Sequence, residues 1–517
     1  MDHFDVIIIG SGAGGGTMAR ALAPSGKRIL LLERGGFLPK ERENWDTKAV
    51  FVDKRYQALE TWHYNGKPFR PEIHYWVGGN TKMFGAAMFR LREADFGEIK
   101  HAGGISPAWE VSYSDFAPYY TRSEQLYSVH GKRGVDPTEP PSSDPYPFGP
   151  VPHEPRVQQL EHDLQTLGYS PFPLPLGVRL GGVQEAPTVL SHFDGYPDPT
   201  ESKADAHVIA VKPALEHQNL TLLTNRLVER LETDASGREI KKVIVRHEGK
   251  LETYSADIVV LAAGAANSAA LMLRSASDLH PNGLANGSGL VGRNYMCHQN
   301  STFLAISKEP NDSIFQKTLA ISDFYNASNG EYPMGLIQML GKVDEVLMAF
   351  ETPEPFHGMS FADMAAHSLD FWLQSEDLPD PNNRVTINSS GEIELHYSKN
   401  NLEAHEKLIA KLKSLLSHIG CHEHMIPVDY YLGTKFPFNL AHQAGTMKFG
   451  SDPNSSVLDL YCKAHELENL YVTDASFLPS VGAVNPSLTV IANSLRVADH
   501  LLTRLGVSSA DMQRRKP

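Results

Sequence analysis

Residues 4–9 form an apolar run of strand length, a glycine-rich turn follows, and Thr17–Ala23 reads as helix. Pro24-Ser25-Gly26 breaks that helix, and Arg28–Leu32 resumes as a second, continuously apolar strand. Strands of that kind belong to a parallel sheet covered on both faces, so the first 32 residues predict a βαβ unit. Residues 38–75 are polar and aromatic with little period. Residues 112–130 read as a helix with Ser114 as its N-cap. Residues 131–200, rich in Pro and Gly, predict an irregular arm or lid.

Regularity returns at Ala204. Leu220–Leu223, Lys242–Val245, Ile258–Leu261 and 469–473 read as strands, and Ala265–Arg274 as a helix. Residues 300–350 alternate in short strands, as a second sheet would, and Leu402–His418 is an amphipathic helix. Pro486–Arg504 predicts a long terminal helix. The class is α/β, α+β overall.

Charge and composition narrow the partners. A formal net charge of −14 over 517 residues offers no basic face for nucleic acid or an anionic membrane. The longest near-apolar stretch, Ile258–Leu273, falls short of the ~20 residues a spanning helix needs. Cys297, Cys421 and Cys462 are scattered without metal-ligand spacing, which suits a reducing compartment. The N-terminus has no basic leader pattern, so the expected location is cytoplasmic.

Gly10-Ser11-Gly12-Ala13-Gly14-Gly15 sits between a predicted strand and a predicted helix. In a dinucleotide site Gly10 makes the tight turn, Gly12 admits the pyrophosphate, and Gly15 lets helix and strand pack closely. The helix N-terminus then offers N–H groups to the phosphates. Glu33, at the end of the second strand, is placed to accept hydrogen bonds from a ribose. This motif by itself leaves FAD and NAD both open.

Six segments together resemble the glucose–methanol–choline (GMC) oxidoreductases. They are Gly10–Gly15 with Glu33-Arg34-Gly35; Gly78-Gly79-Asn80-Thr81 with Gly85; Val259–Ser268; Ser288–Asn294; His442–Thr446; and Tyr471–Thr489. The resemblance implies FAD in a Rossmann-like domain of discontinuous segments, residues 1–100, 204–300 and 441–517. It implies a substrate domain with an antiparallel sheet at 301–440, and residues 101–203 as the arm. The stretch 78–92 and Asn485-Pro486 look most like the pyranose oxidases and bacterial glycoside 3-oxidases. Some of those enzymes tether the flavin through a histidine where this chain has Met83, so FAD is expected to be noncovalent. A threonine of that branch is replaced by Gly85. By the same resemblance Val228 and Ala262-Ala263-Gly264 approach the adenine and pyrophosphate, and Asp474, Ala475 and Pro486 line the flavin. Without it, Asp474 reads equally well as a turn or cap aspartate.

Alcohol oxidation removes a hydroxyl proton and a carbon-bound hydride. Flavin N5 takes the hydride in this family, and a base must take the proton. His442 is the expected base, titrating near an ordinary histidine pKa of ~6.5, with Asn485 orienting the same oxygen. The implied reaction is oxidation of a secondary ring hydroxyl, C2 or C3, of a pyranose or glycoside, with O2 as acceptor and H2O2 as product. A dehydrogenase using another acceptor, a different small alcohol and a non-catalytic flavoprotein are the alternatives. Phe350, Phe356, His357, Phe361, His367, Phe371 and Trp372 line a sugar site or pack a core.

Overall fold

A computed structural model describes residues 2–182, 190–328, 330–351, 358–421, 441–508 and the backbone of 426–428. Its main sheet is built from β1 (Asp2–Ile9), β2 (Ile29–Leu32), β3 (Leu220–Leu223), β4 (Leu227–Thr233), β5 (Ile240–His247) and β6 (Lys250–Leu261). The order is β3-β2-β1-β6-β5-β4, and Leu470–Val472 pairs with β6. β3, β2, β1 and β6 run parallel, while β5 and β4 continue antiparallel. The first part of β6 pairs with β5 and its last residues with Leu470–Val472. The central strands are buried on both faces, which is why their sequences show no alternation.

The register decides where the site forms. Ile9 stands opposite both Leu32 and Leu261, Leu32 opposite Leu223, and Leu261 opposite Val472. Five strands far apart in sequence therefore end level with one another. The turns that follow all emerge at one carboxyl edge, where open α/β sheets bind ligands.

The helix after β1 spans Ala13–Leu22, four residues earlier than its sequence suggests. Packing overrides the poor helix propensity of Gly14-Gly15-Gly16. A Cβ at Gly15 would stand 1.9 Å from the Gly10 carbonyl oxygen, and one at Gly14 would stand 2.1 Å from that of Thr473. This helix packs against the terminal helix Ser487–Arg504, which also contacts helix Tyr113–Leu126. Ser112 rather than Ser114 is the N-cap of Tyr113–Leu126. Asp115, three residues on, returns a bond to the Ser112 N–H at 2.8 Å, a reciprocal box that Ser114 cannot make from inside the first turn.

The second sheet is antiparallel throughout. Its strands are β7 (Gln299–Ile306), β8 (Leu319–Ile321), β9 (Leu336–Met339) and β10 (Ser368–Ser375). They run in the order β7-β10-β9-β8, with Ile426–Val428 beyond β7 and Phe172–Pro173 beyond β8. Phe303, Ile337, Phe371 and Leu373 face a core shared with Leu408 and Leu412 of helix Leu402–His418. The opposite face carries Thr302, Gln338 and Trp372 in one cross-strand row.

Residues 131–200 depart from the irregular arm expected of their composition. Pro155–Thr166 is a helix whose Val157, Leu160 and Leu164 are fully buried in the core of the second sheet. Three apolar residues at helical spacing among many prolines are a weak signal in sequence, but they suffice once a sheet face covers them. Replacing Leu160 by Ala should cost about 2–5 kcal/mol. The check is the thermal and urea midpoint of the variant; an unpacked arm would show no change.

Candidate active site

One cavity of about 400 Å³ runs from the Gly10–Gly14 turn to His442, Asn485 and Trp372. Every site residue expected from sequence lines it except Gly15 and Gly78. Those two stand behind the wall: Gly15 is the helix–strand contact point, and the Gly78 N–H donates to Ser11 Oγ at 3.1 Å.

At the nucleotide end, Gly10 adopts φ +97° to turn the chain out of β1. Glu33 is buried directly beneath that turn. Its Oε2 accepts from Ser11 N–H at 3.1 Å and Ser11 Oγ at 2.6 Å, and its Oε1 accepts from Gly35 N–H at 2.9 Å. Burial pushes the carboxyl pKa up against the pull of those bonds. Arg34 lies over the Tyr75 ring at 3.6 Å and pairs with Glu60 at 2.9 Å. Val228 of β4 and the turn Ala262-Ala263-Gly264 complete this end.

Asp474 lines the cavity and is held through both carboxylate oxygens. Oδ2 accepts from Gly264 N–H at 3.0 Å and Ser268 Oγ at 2.5 Å. Oδ1 accepts from Ser476 N–H at 2.9 Å and Ser476 Oγ at 2.5 Å. These four bonds fill the capacity of a carboxylate. Asp474 thus caps the turn Ala475–Phe477 and ties it to the β6 turn, the cap reading left open by sequence.

In the loop after Gly78, Gly79 (φ +57°), Asn80 and Met83 face the cavity, and Asn80 Oδ1 accepts the His74 N–H at 2.9 Å. Gly85 has a structural reason. A Cβ there would stand 2.0 Å from Asp194 Oδ1 and 2.7 Å from Lys317 Nζ. The buried Lys317–Asp194 pair, 2.6 Å apart, occupies the space a threonine would need.

At the far end, His442 holds φ +63°, a strained backbone for a non-glycine residue. Its Nδ1 lies 3.0 Å from His298 Nδ1. Burial drives the His442 pKa well below 6.5, and the neighbouring His298 and Lys317 add to the effect. This corrects the expected ordinary titration: His442 stays neutral, with a lone pair available, well below neutral pH. Asn485 Oδ1 accepts from Gln338 Nε2 at 2.9 Å. That bond fixes the amide so that its NH2 group is the part left to donate. Gln338 places the β9 face of the second sheet directly against the site.

The aromatic segment divides. Phe350 and Trp372 line the cavity. Phe371 points into the core on the other face of β10, Phe361 packs in a separate apolar cluster, and His367 Nδ1 bonds the Ser307 carbonyl at 3.0 Å. Phe356 and His357 lie outside the described residues. Sequence reasoning missed His298, Gln338 and Lys317. His298 stands four residues beyond the quoted Ser288–Asn294 motif and could have been reached by extending it. Gln338 and Lys317 carry no local signal.

Among the described residues no cluster of three or more His, Cys, Asp or Glu could hold a metal, and no helix is long and apolar enough to cross a membrane. The cavity fits FAD by its own features. The N-termini of helices Ala13–Leu22 and Ala265–Arg274 carry no side-chain cap, and their Gly12 and Gly264 caps line the wall. A Cβ at Gly264 would meet nothing within 4 Å, and one at Gly12 would reach only Gly78 and Gly79 at 3.9 Å and beyond. Two uncapped helix ends facing an open space suit an anionic diphosphate.

Comparison with known proteins agrees. A GMC oxidoreductase N-terminal model matches residues 5–300, and a C-terminal model matches 379–494. The 6‴-hydroxyparomomycin C oxidase of Streptomyces lividus is 28% identical, over 98% of this chain and 93% of its own. The fructose dehydrogenase large subunit of Gluconobacter japonicus is 26% identical, over 97% and 98%. The crystal structure of pyridoxine 4-oxidase from Mesorbium loti shares the fold with a TM-score of 0.63 at 17% identity, over 96% and 98%. The chain belongs to the GMC oxidoreductase family and is, with it, an FAD-dependent oxidoreductase of CH–OH groups.

Proposed function

We propose that this enzyme oxidises a secondary ring hydroxyl, at C2 or C3, of a pyranose sugar or glycoside, with O2 as electron acceptor. The observation that carries the reading is that His442 and Asn485 share one cavity wall with the nucleotide-binding turn. In it His442 takes the hydroxyl proton, and the Asn485 amide donates to the oxygen that loses it. When bound, the flavin supplies the acceptor for the carbon-bound hydride. Segments 1–100, 204–300 and 441–517 hold the cofactor, and 301–440 with the packed part of 101–203 close the substrate side. Phe350 and Trp372 offer apolar faces to the C–H surface of a sugar ring. Likeness to an aminoglycoside oxidase and a fructose dehydrogenase supports a sugar substrate. The dehydrogenase likeness also favours a second reading, the same chemistry with a non-O2 acceptor.

The test is anaerobic mixing with a panel of monosaccharides, glycosides, choline and simple alcohols, followed at the oxidised flavin band. Sugars should bleach it fastest; a simple alcohol faster by orders of magnitude would overturn the substrate class. Peroxide yield under air separates the two acceptors. In stopped-flow reduction His442→Ala should slow bleaching by ~10²–10⁴-fold, about 3–5 kcal/mol of barrier, and Asn485→Ala by less. Near-wild-type reduction by a fully flavinated His442→Ala enzyme would send the proton elsewhere.

The pH profile of that half-reaction follows from the depressed His442 pKa. Neutral imidazole is the accepting form, so the rate should already be at its plateau at pH 6.5 and fall only at lower pH. A rise centred near pH 6.5 would mean a solvent-exposed base.

Met83 at the position of a tethering histidine implies that FAD is held without a covalent bond. Acid precipitation should leave the yellow colour in the supernatant; a yellow pellet would reject it.

A further inference from the structure

A contact between two Nδ1 atoms at 3.0 Å requires one shared hydrogen, because two bare nitrogens or two N–H groups would repel. Which ring supplies it can be deduced from the far side of His298. His298 Nε2 lies 3.1 Å from the carbonyl oxygen of Gly482, which can only accept. His298 therefore carries its hydrogen on Nε2 and presents a bare Nδ1. It follows that His442 donates from Nδ1, and that Nε2 is the His442 nitrogen left with a free lone pair. The two ring planes stand at 90° to each other, with 4.9 Å between centroids.

The anchor for this chain is rigid. The Gly482 N–H donates to Glu376 Oε1 at 3.2 Å, and the next N–H, of Ala483, donates to the Tyr325 hydroxyl at 3.0 Å. Tyr325 in turn donates to Asp95 Oδ2 at 2.8 Å. Gly482 sits at φ +56°, with Leu91 and Asp95 side-chain atoms within 3.0 Å of where a Cβ would stand. The carbonyl cannot swing away from His298. Burial keeps both rings neutral, bringing His298 down to about 4. The charged groups facing the pair are Lys317, toward His442, and Glu376, toward His298.

We propose that His298 is a positioning residue that holds His442 in its Nδ1–H tautomer, so that Nε2 is the atom that takes the substrate's hydroxyl proton. The proposal rests on the reading of His442 as base. In the step, the substrate O–H bond breaks and an Nε2–H bond forms. His298 exchanges no proton, and its bond from His442 Nδ1–H strengthens as His442 becomes cationic. Without His298, the Nε2–H tautomer competes and the lone pair turns away from the substrate.

Two variants and one spectrum test this. His298→Leu removes the acceptor; His298→Asn keeps an acceptor oxygen at the position of Nδ1. His298→Leu should lower kcat for anaerobic flavin reduction by roughly 10–100-fold with KM little changed, and His298→Asn should recover most of the loss. Nitrogen-15 NMR of histidine-labelled protein, assigned with His442→Ala, should show the His442 Nδ1–H form in the wild type and its loss in His298→Leu. An Nε2–H form in the wild type, or a correctly folded His298→Leu enzyme reducing at the wild-type rate, would overturn the proposal. If His298→Leu fails to fold, the wild-type spectrum and His298→Asn still decide it. Failure of the base reading is seen separately, as a flavinated His442→Ala enzyme that reduces normally while the wild-type spectrum keeps the Nδ1–H form.

Discussion

The level carboxyl ends of five strands are what the rest of the molecule depends on. Register in a parallel sheet is fixed by hydrogen bonds and by side chains packed on both faces, so a one-residue slip would swap every side chain to the other face and break both packings. Because Ile9, Leu32, Leu223, Leu261 and Val472 are held level, the turns after them meet at one edge. Glu33 reaches Ser11 only because β2 stops where β1 stops, and Asp474 reaches Gly264 only because Leu470–Val472 pairs with the end of β6. The three glycines after Gly12 serve the same constraint, bringing the helix against carbonyls where no side chain fits.

From that edge the chemistry is arranged by exclusion of water. His298 is buried and His442 half-buried, and desolvation holds both imidazoles neutral. Lys317 is buried too, but it meets Asp194 at 2.6 Å, and the same carboxylate accepts the Gly341 N–H at 2.6 Å. A buried cation needs such a partner. Together they fill the space that the missing side chain at Gly85 leaves. Asn485 has its orientation set from the opposite side, by Gln338 on the second sheet. The site is thus assembled where the second sheet meets the carboxyl edge of the first.

Much of the fold was legible. The central strands announced themselves because burial on both faces leaves an unbroken apolar run, and Leu220–Leu223 matches residue for residue. Helices Ala265–Arg274 and Leu402–His418 likewise match, since each has one apolar stripe and clear ends. The errors fall where tertiary packing overrides local preference. The helix at Ala13 begins among glycines, Ser112 outcompetes Ser114 through Asp115, and the Pro155–Thr166 helix gains a core that its own composition does not advertise.

By itself the sequence determined the βαβ start, the glycine turn, Glu33, and the segments that carry His442 and Asn485, because each is a local pattern whose chemistry can be read without knowing its neighbours. Only the tertiary structure decided that Asp474 caps the turn Ala475–Phe477 and that Phe371 faces away from the cavity. Only it set His298, Gln338 and Lys317 around the candidate base. Those three lie 144, 147 and 125 residues from His442, Asn485 and His442. The partnership of a side chain so distant in sequence is fixed by sheet register and by which face it points from, and neither is written in any short stretch of chain.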